Sequence, residues 1–194
     1  MVDPTEADFE AILAGIAREL KARELTYMLI GGHAVLLHGE PRLTQDIDLT
    51  LAADPTRLPE LLAICTTLAL EPLPPDVEAF VRRTFVLPVV APETGVRIDF
   101  IFSSTPYERE AIARAQWIEI QGTPVAFASA EDLILHKIFA GRPRDLEDVA
   151  GVVRRKGESL DWGYIETWAN EFAAVPGRED LPDRVARLKA GFGD

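Results

Sequence analysis

The sequence predicts an α+β chain, with strands and helices mixed through its first part and a helical C-terminal part. Two patterns carry that expectation. Between residues 27 and 128, short runs of two-residue apolar period, such as DIDLTL and VRIDFIF, alternate with stretches of helical period. Beyond residue 129 only the helical period continues. With 194 residues, 47% apolar and 27% charged, the chain has ordinary globular composition and suffices for one core with a small appendage. The expected division is residues 1–128, a core with an N-terminal helix, and residues 129–194, a helical part packed on it.

Taken in order, Asp3, Pro4 and Glu6 offer a helix cap, a proline at the first helical position and a reciprocal carboxylate. Phe9, Ile12, Leu13, Ile16 and Leu20 then share one helical face. Tyr27 to Ile30 read as a short buried strand, and Ala34 to His38 as a helix opened by Gly31 and Gly32. Ile47, Leu49 and Leu51 alternate with Asp46, Asp48 and Thr50, so both aspartates share the face turned away from the core. Asp54-Pro55 starts a helix carrying Leu58, Leu61, Leu62, Cys65 and Leu68, and EPLPPD follows as a loop. TFVLPVV and VRIDFIF, joined by APETG, read as a hairpin with Gly95 in its turn. Val96, Ile98, Phe100 and Phe102 point one way there, and Arg97, Asp99 and Ile101 the other. Thr105-Pro106 with Glu108 caps a short helix, and WIEIQGTPVAFAS reads as a strand pair or an extended stretch. Ser129 with Asp132 caps a helix to about residue 140; after GRPRD a second runs from about 145 to 156, and the remainder is helical.

Bulk properties exclude several classes. Twenty Lys+Arg against 32 Asp+Glu give a net charge of -12, which argues against a protein that coats nucleic acid, though a local basic surface such as Arg154, Arg155 and Lys156 stays open. The single cysteine, Cys65, lies among apolar residues and is expected to be a buried free thiol. The acidic start lacks a signal-peptide pattern and no apolar run reaches transmembrane length, so a cytoplasmic protein with no membrane partner is expected.

Chemistry concentrates in GGHAVLLHGEPRLTQDIDLT, residues 31–50. Gly31 and Gly32 at a strand–helix junction let the chain turn sharply and let a phosphate approach; taken alone they read better as a packing turn. Asp46 and Asp48 project to one side of a strand about 7 Å apart, close enough to share hard divalent cations. Asp99 adds a third carboxylate, which converges with them if its strand is a neighbour, or else pairs with Arg97 or Arg42.

Gly-Gly, a thirteen-residue gap, Asp-x-Asp on a strand and a later lone Asp resemble the nucleotidyltransferase fold of the polymerase-beta superfamily. Within it, HGEPRLTQDIDL and DLILHKIFAGRPRDLEDV resemble the AbiEii-like nucleotidyltransferases, many of them toxins of toxin–antitoxin or phage-defence systems. The resemblance implies a mixed β-sheet flanked by helices, with Gly31 and Gly32 cradling a nucleoside triphosphate. It makes Asp46, Asp48 and Asp99 catalytic ligands of two Mg2+ ions, with Mn2+ as a substitute, and Asp99 also the general base. It gives Lys137 a phosphate contact, completed by Arg142 and Asp145, and adds His33, Arg42 and Thr44 to the nucleotide site. The implied partners are an acceptor (RNA end, protein or small molecule) and an antitoxin; the alternative is a non-catalytic nucleotide-binding or protein-interaction module. One departure stands out: the superfamily's usual serine hydroxyl is missing from the glycine motif, where His33 follows Gly32.

Overall fold

A computed structural model describes residues 4–103 and 105–191, and the chain divides into two compact units. The first comprises residues 1–33 and 43–127, the second residues 34–42 and 128–194. The division therefore does not follow a single cut in the sequence: a nine-residue piece from the middle of the expected core is grouped with the C-terminal helices.

The first unit is built on one seven-stranded mixed sheet in the order β3-β4-β5-β2-β1-β7-β6. Its strands are β1 (Tyr27–Ile30), β2 (Asp46–Ala52), β3 (Glu71–Pro72), β4 (Val86–Val90), β5 (Arg97–Ser103), β6 (Gln116–Ile120) and β7 (Thr123–Phe127). Strands β2 and β5 run parallel, as do β1 and β7, and the other neighbours are antiparallel. Helices α1 (Glu6–Ala22), α3 (Leu58–Thr67), α4 (Val77–Thr84) and α5 (Pro106–Ala113) flank it. The apolar alternation is realised as expected: Ile47, Leu51, Ile98 and Phe100 are fully buried, each side chain contributing about 1.5–3 kcal/mol of burial.

Several local expectations change. Asp3 lies outside the described residues; α1 is capped by Thr5, whose hydroxyl accepts from Asp8 N–H while the Asp8 carboxylate accepts from Thr5 N–H. Within α3 the buried side chains are Leu58, Leu61, Ile64 and Cys65, with Leu62 and Leu68 only half-buried. Cys65 is the expected buried thiol, its pKa pushed up to about 11 by burial. The expected EPLPPD loop contributes the two residues of β3, and its Asp76 caps α4, a helix the apolar period does not announce because Val81 is its one buried residue. The β4–β5 hairpin is present, with Gly95 at φ +76° in its turn.

The second unit contains α6 (Ala130–Ala140), α7 (Pro143–Lys156), α8 (Trp162–Phe172) and α9 (Leu181–Ala190). It also holds residues 34–42, which include most of α2 (Gly31–His38). Leu133, Ile138, Val149, Val152, Ile165 and Val185 are fully buried in it. Gly141 at φ +69° ends α6, and Pro143 opens α7 two residues earlier than expected, with its missing N–H at a position that needs no partner. His38 Nε2 lies 2.8 Å from the Ala128 carbonyl, and Gly39 admits the Val152 side chain. Among the described residues no helix is long and apolar enough to cross a membrane.

Candidate active site

The site in the first unit begins at a turn with no room for side chains. Strand β1 ends at Ile30, and Gly31 at φ +65° turns the chain directly into α2. A Cβ on Gly31 would lie 1.9 Å from Asp48 Oδ2, and one on Gly32 would lie 2.1 Å from Thr44 Oγ. Both glycines are thus required by side chains arriving from the RLTQDID segment, and Gly31 by the turn as well.

Register then brings the carboxylates together. Ile30 faces Asp48 across the β1–β2 pair, and Asp48 faces Asp99 across the parallel β2–β5 pair. Neighbouring strands lie about 4.8 Å apart, so Asp48 and Asp99 are side by side on one face. Asp46 is exposed, opposite Arg97. Asp99 is half-buried, and its Oδ1 is buried without a hydrogen-bond partner. Burial raises the Asp99 pKa; Arg97 opposes that effect and Asp46 adds to it. Among the described residues no group of three or more His, Cys, Asp or Glu side chains is placed to hold a metal ion. The donors nevertheless suit a hard cation: they are oxygens only, one is an orphaned buried carboxylate oxygen, and like charges sit close enough to disfavour one another.

The other expected residues meet one another in the second unit. Lys137 is 7% exposed, and its amino group lies 3.0 Å from Asp145 Oδ1 and 2.7 Å from Asp148 Oδ2. Arg42 donates in a fork to Asp148, with Nε at 2.8 Å and Nη2 at 3.0 Å. Arg142 Nε donates to Asp145 Oδ2 at 2.6 Å, and the same carboxylate accepts from the Arg142 backbone N–H. Arg42 is therefore engaged with Asp148. Burial by itself would raise the Asp145 and Asp148 carboxyls, but hydrogen bonds and charge from Arg142, Arg42 and Lys137 outweigh it and hold both below the usual range. Asp148 is the member that sequence reasoning missed; its three-residue spacing from Asp145 on one helix was the available signal.

The family described as nucleotidyltransferase of unknown function (DUF6036) matches residues 9–183. The chain belongs to this family. The nucleotidyltransferase also shares its fold with solved structures of low identity. The antibiotic-resistance factor ANT(2'')-Ia in solution is 19% identical, with 97% of this chain and 99% of that chain covered and a TM-score of 0.58. An antigenic nucleotidyltransferase-like protein from Paracoccidioides brasiliensis is 15% identical, covering 94% and 95% of the two chains, with a TM-score of 0.57. The lincomycin-bound lincosamide antibiotic adenylyltransferase LnuA is 15% identical, covering 78% and 98%, with a TM-score of 0.52. No curated protein matches the chain by sequence.

In this nucleotidyltransferase His33 is not an exposed donor. Its ring lies 5.1 Å from that of Phe9, and its Nε2 is buried without a partner. Burial lowers its pKa to about 4, so the imidazole is neutral at pH 7. A cavity of about 730 Å3 in the first unit, lined by Lys21, Tyr27, Arg109 and Trp117, opens at the opposite ends of β1 and β2 from the carboxylates.

Proposed function

We propose that this nucleotidyltransferase moves a nucleotidyl group from a nucleoside triphosphate to a hydroxyl or phosphate acceptor, with magnesium as cofactor. The observation that carries the reading is the Asp48–Asp99 register pair beside Gly31, with a buried, unpartnered oxygen on Asp99. Asp46, Asp48 and Asp99 would hold the metal, as two Mg2+ ions or Mn2+ in their place. When bound, the metal supplies charge neutralisation for the triphosphate and for the departing pyrophosphate.

The chain's own residues account for the rest. Gly31 and Gly32 would cradle the phosphates by resemblance, with Asp48 and Thr44 standing in the volumes their missing side chains leave. Asp99, the carboxylate of the neighbouring strand with an unpartnered oxygen, accepts the proton of the acceptor hydroxyl. As that proton leaves, the acceptor oxygen bonds to the α-phosphorus, the α–β bridging bond breaks, and pyrophosphate departs with the electron pair. Lys137, Arg142 and Asp145 belong to nucleotide binding by resemblance, as do Arg42 and His33; the pairing of Lys137 with Asp145 and Asp148 makes that cluster an internal charge network first.

A net charge of -12 favours a small molecule or a protein hydroxyl over an RNA end as acceptor. The finer kinship, an AbiEii-like toxin acting in the cytoplasm with a neutralising antitoxin, rests on the motifs of residues 38–49 and 132–149. The non-catalytic reading draws on His33, which follows the glycines where a serine hydroxyl is usual and points no free donor at a phosphate.

Incubation with each α-labelled triphosphate, magnesium, total RNA, cell protein and a small-molecule extract tests the proposal. One pool should become labelled, and Asp46→Asn with Asp48→Asn should abolish the transfer. Labelling that survives the double substitution would sink the assigned chemistry. Metal-dependent binding without labelling would favour the non-catalytic module.

A further inference from the structure

We infer that Thr44 supplies the phosphate-facing hydroxyl that the glycine pair lacks, by standing in the volume a side chain at position 32 would occupy. The inference rests on the triphosphate reading above and gives Thr44 a chemical role within it. A Cβ on Gly32 would lie 2.1 Å from Thr44 Oγ and 2.7 Å from Thr44 Cβ, distances that no pair of real side chains shares. Position 32 can therefore carry a side chain, or Thr44 can hold this placement, but not both. This chain has taken the second arrangement.

The hydroxyl is available for such a role. Its hydrogen bond to the Asp46 carbonyl is long, 3.4 Å, so its proton can turn to a better acceptor at small cost. It stands next to Asp48, whose Oδ2 occupies the corresponding volume over Gly31. A neutral donor suits this position: an ammonium group beside Asp46 and Asp48 would be drawn to the carboxylates, whereas a hydroxyl can donate to a phosphate oxygen without competing for them.

The test exchanges the two positions. Binding is read as the ligand-induced rise in thermal midpoint over a titration of magnesium with each ribonucleoside triphosphate, and of magnesium with inorganic tripolyphosphate. Thr44→Ser should bind as the wild type does. Thr44→Val, nearly the same shape without the hydroxyl, should bind the polyphosphates about tenfold or more weakly. Thr44→Gly should weaken binding likewise, and Gly32→Ser with Thr44→Gly, which offers a hydroxyl from the opposite wall, should recover most of the loss. Manganese binding without nucleotide, followed by the loss of its free-ion resonance signal, should be the same in Thr44→Val as in the wild type. The inference is overturned if Thr44→Val binds triphosphate like the wild type, or if the exchange variant binds no better than Thr44→Gly. A wild-type protein that responds to no metal–triphosphate pair overturns this inference and the proposed function together; a wild-type response unchanged in Thr44→Val overturns this inference alone.

Discussion

Lys137 shows how much a single buried charge has to be compensated. Its amino group, Asp145 and Asp148 are each less than a tenth exposed, so the lysine holds two carboxylates that would otherwise face each other at low dielectric. Lys137→Met is expected to destabilise the protein by about 1–3 kcal/mol, the cost of removing one charged partner from two carboxylates that keep Arg42 and Arg142, as read from urea midpoints at pH 7. The pH dependence follows from the carboxyls. Both are held below the ordinary value of 3.8 in the folded state, so their contribution is fully present above that value and is lost as pH falls through the lower folded values. The gap between wild type and Lys137→Met should accordingly narrow as pH drops below about 4. A gap that stays constant to pH 3 would show that the three groups are not coupled. From the sequence, Lys137 and Asp145 read as ligand contacts; pairing between a helix and the next one is set by packing, which their spacing does not encode.

At the scale of elements, helix starts were the most legible features. Thr105 and Ser129 cap their helices as expected, because a hydroxyl three residues ahead of a carboxylate satisfies donors that the helix itself leaves open. Ser129 is buried: its hydroxyl accepts from Asp132 N–H and donates to Asp132 Oδ2 at 2.6 Å, and Tyr164 donates to the other oxygen of that carboxylate. Ser129→Ala should cost about 1–2 kcal/mol in chemical denaturation, more than an exposed cap. A loss under about 0.3 kcal/mol would mean the cap is redundant. The strands other than β3 were also clear, since alternation reports directly on a half-buried sheet and Ile47, Ile98 and Phe100 follow it. Helix α4 was not legible: Val81 is its one buried residue, and Phe85 ends it in a left-handed conformation that threonine and phenylalanine do not advertise. Helix α1 begins at Glu6 behind Thr5, whose reciprocal bonding with Asp8 fixes the start.

For the whole molecule, charge sets what can approach. An excess of 12 negative charges repels a polyanion at long range, so bulk RNA should not be retained in a filter assay at about 0.15 M salt, whatever the acceptor of the transfer. Retention of random RNA at micromolar protein would place an RNA end ahead of a small molecule or protein as acceptor. Composition, strand and helix periods, and the spacing of Gly31, Asp46, Asp48 and Asp99 were determined by the sequence alone, because each is a local property or a short motif. Strand order was not: only pairing β2 with β5 in parallel, at the register that sets Asp48 beside Asp99, turns two distant aspartates into one group. The same holds for the fit of Thr44 over Gly32 and for the grouping of residues 34–42 with the C-terminal helices. Which side chain fills a glycine's empty volume is decided by non-local packing of segments, and that information exists only once the chain has folded.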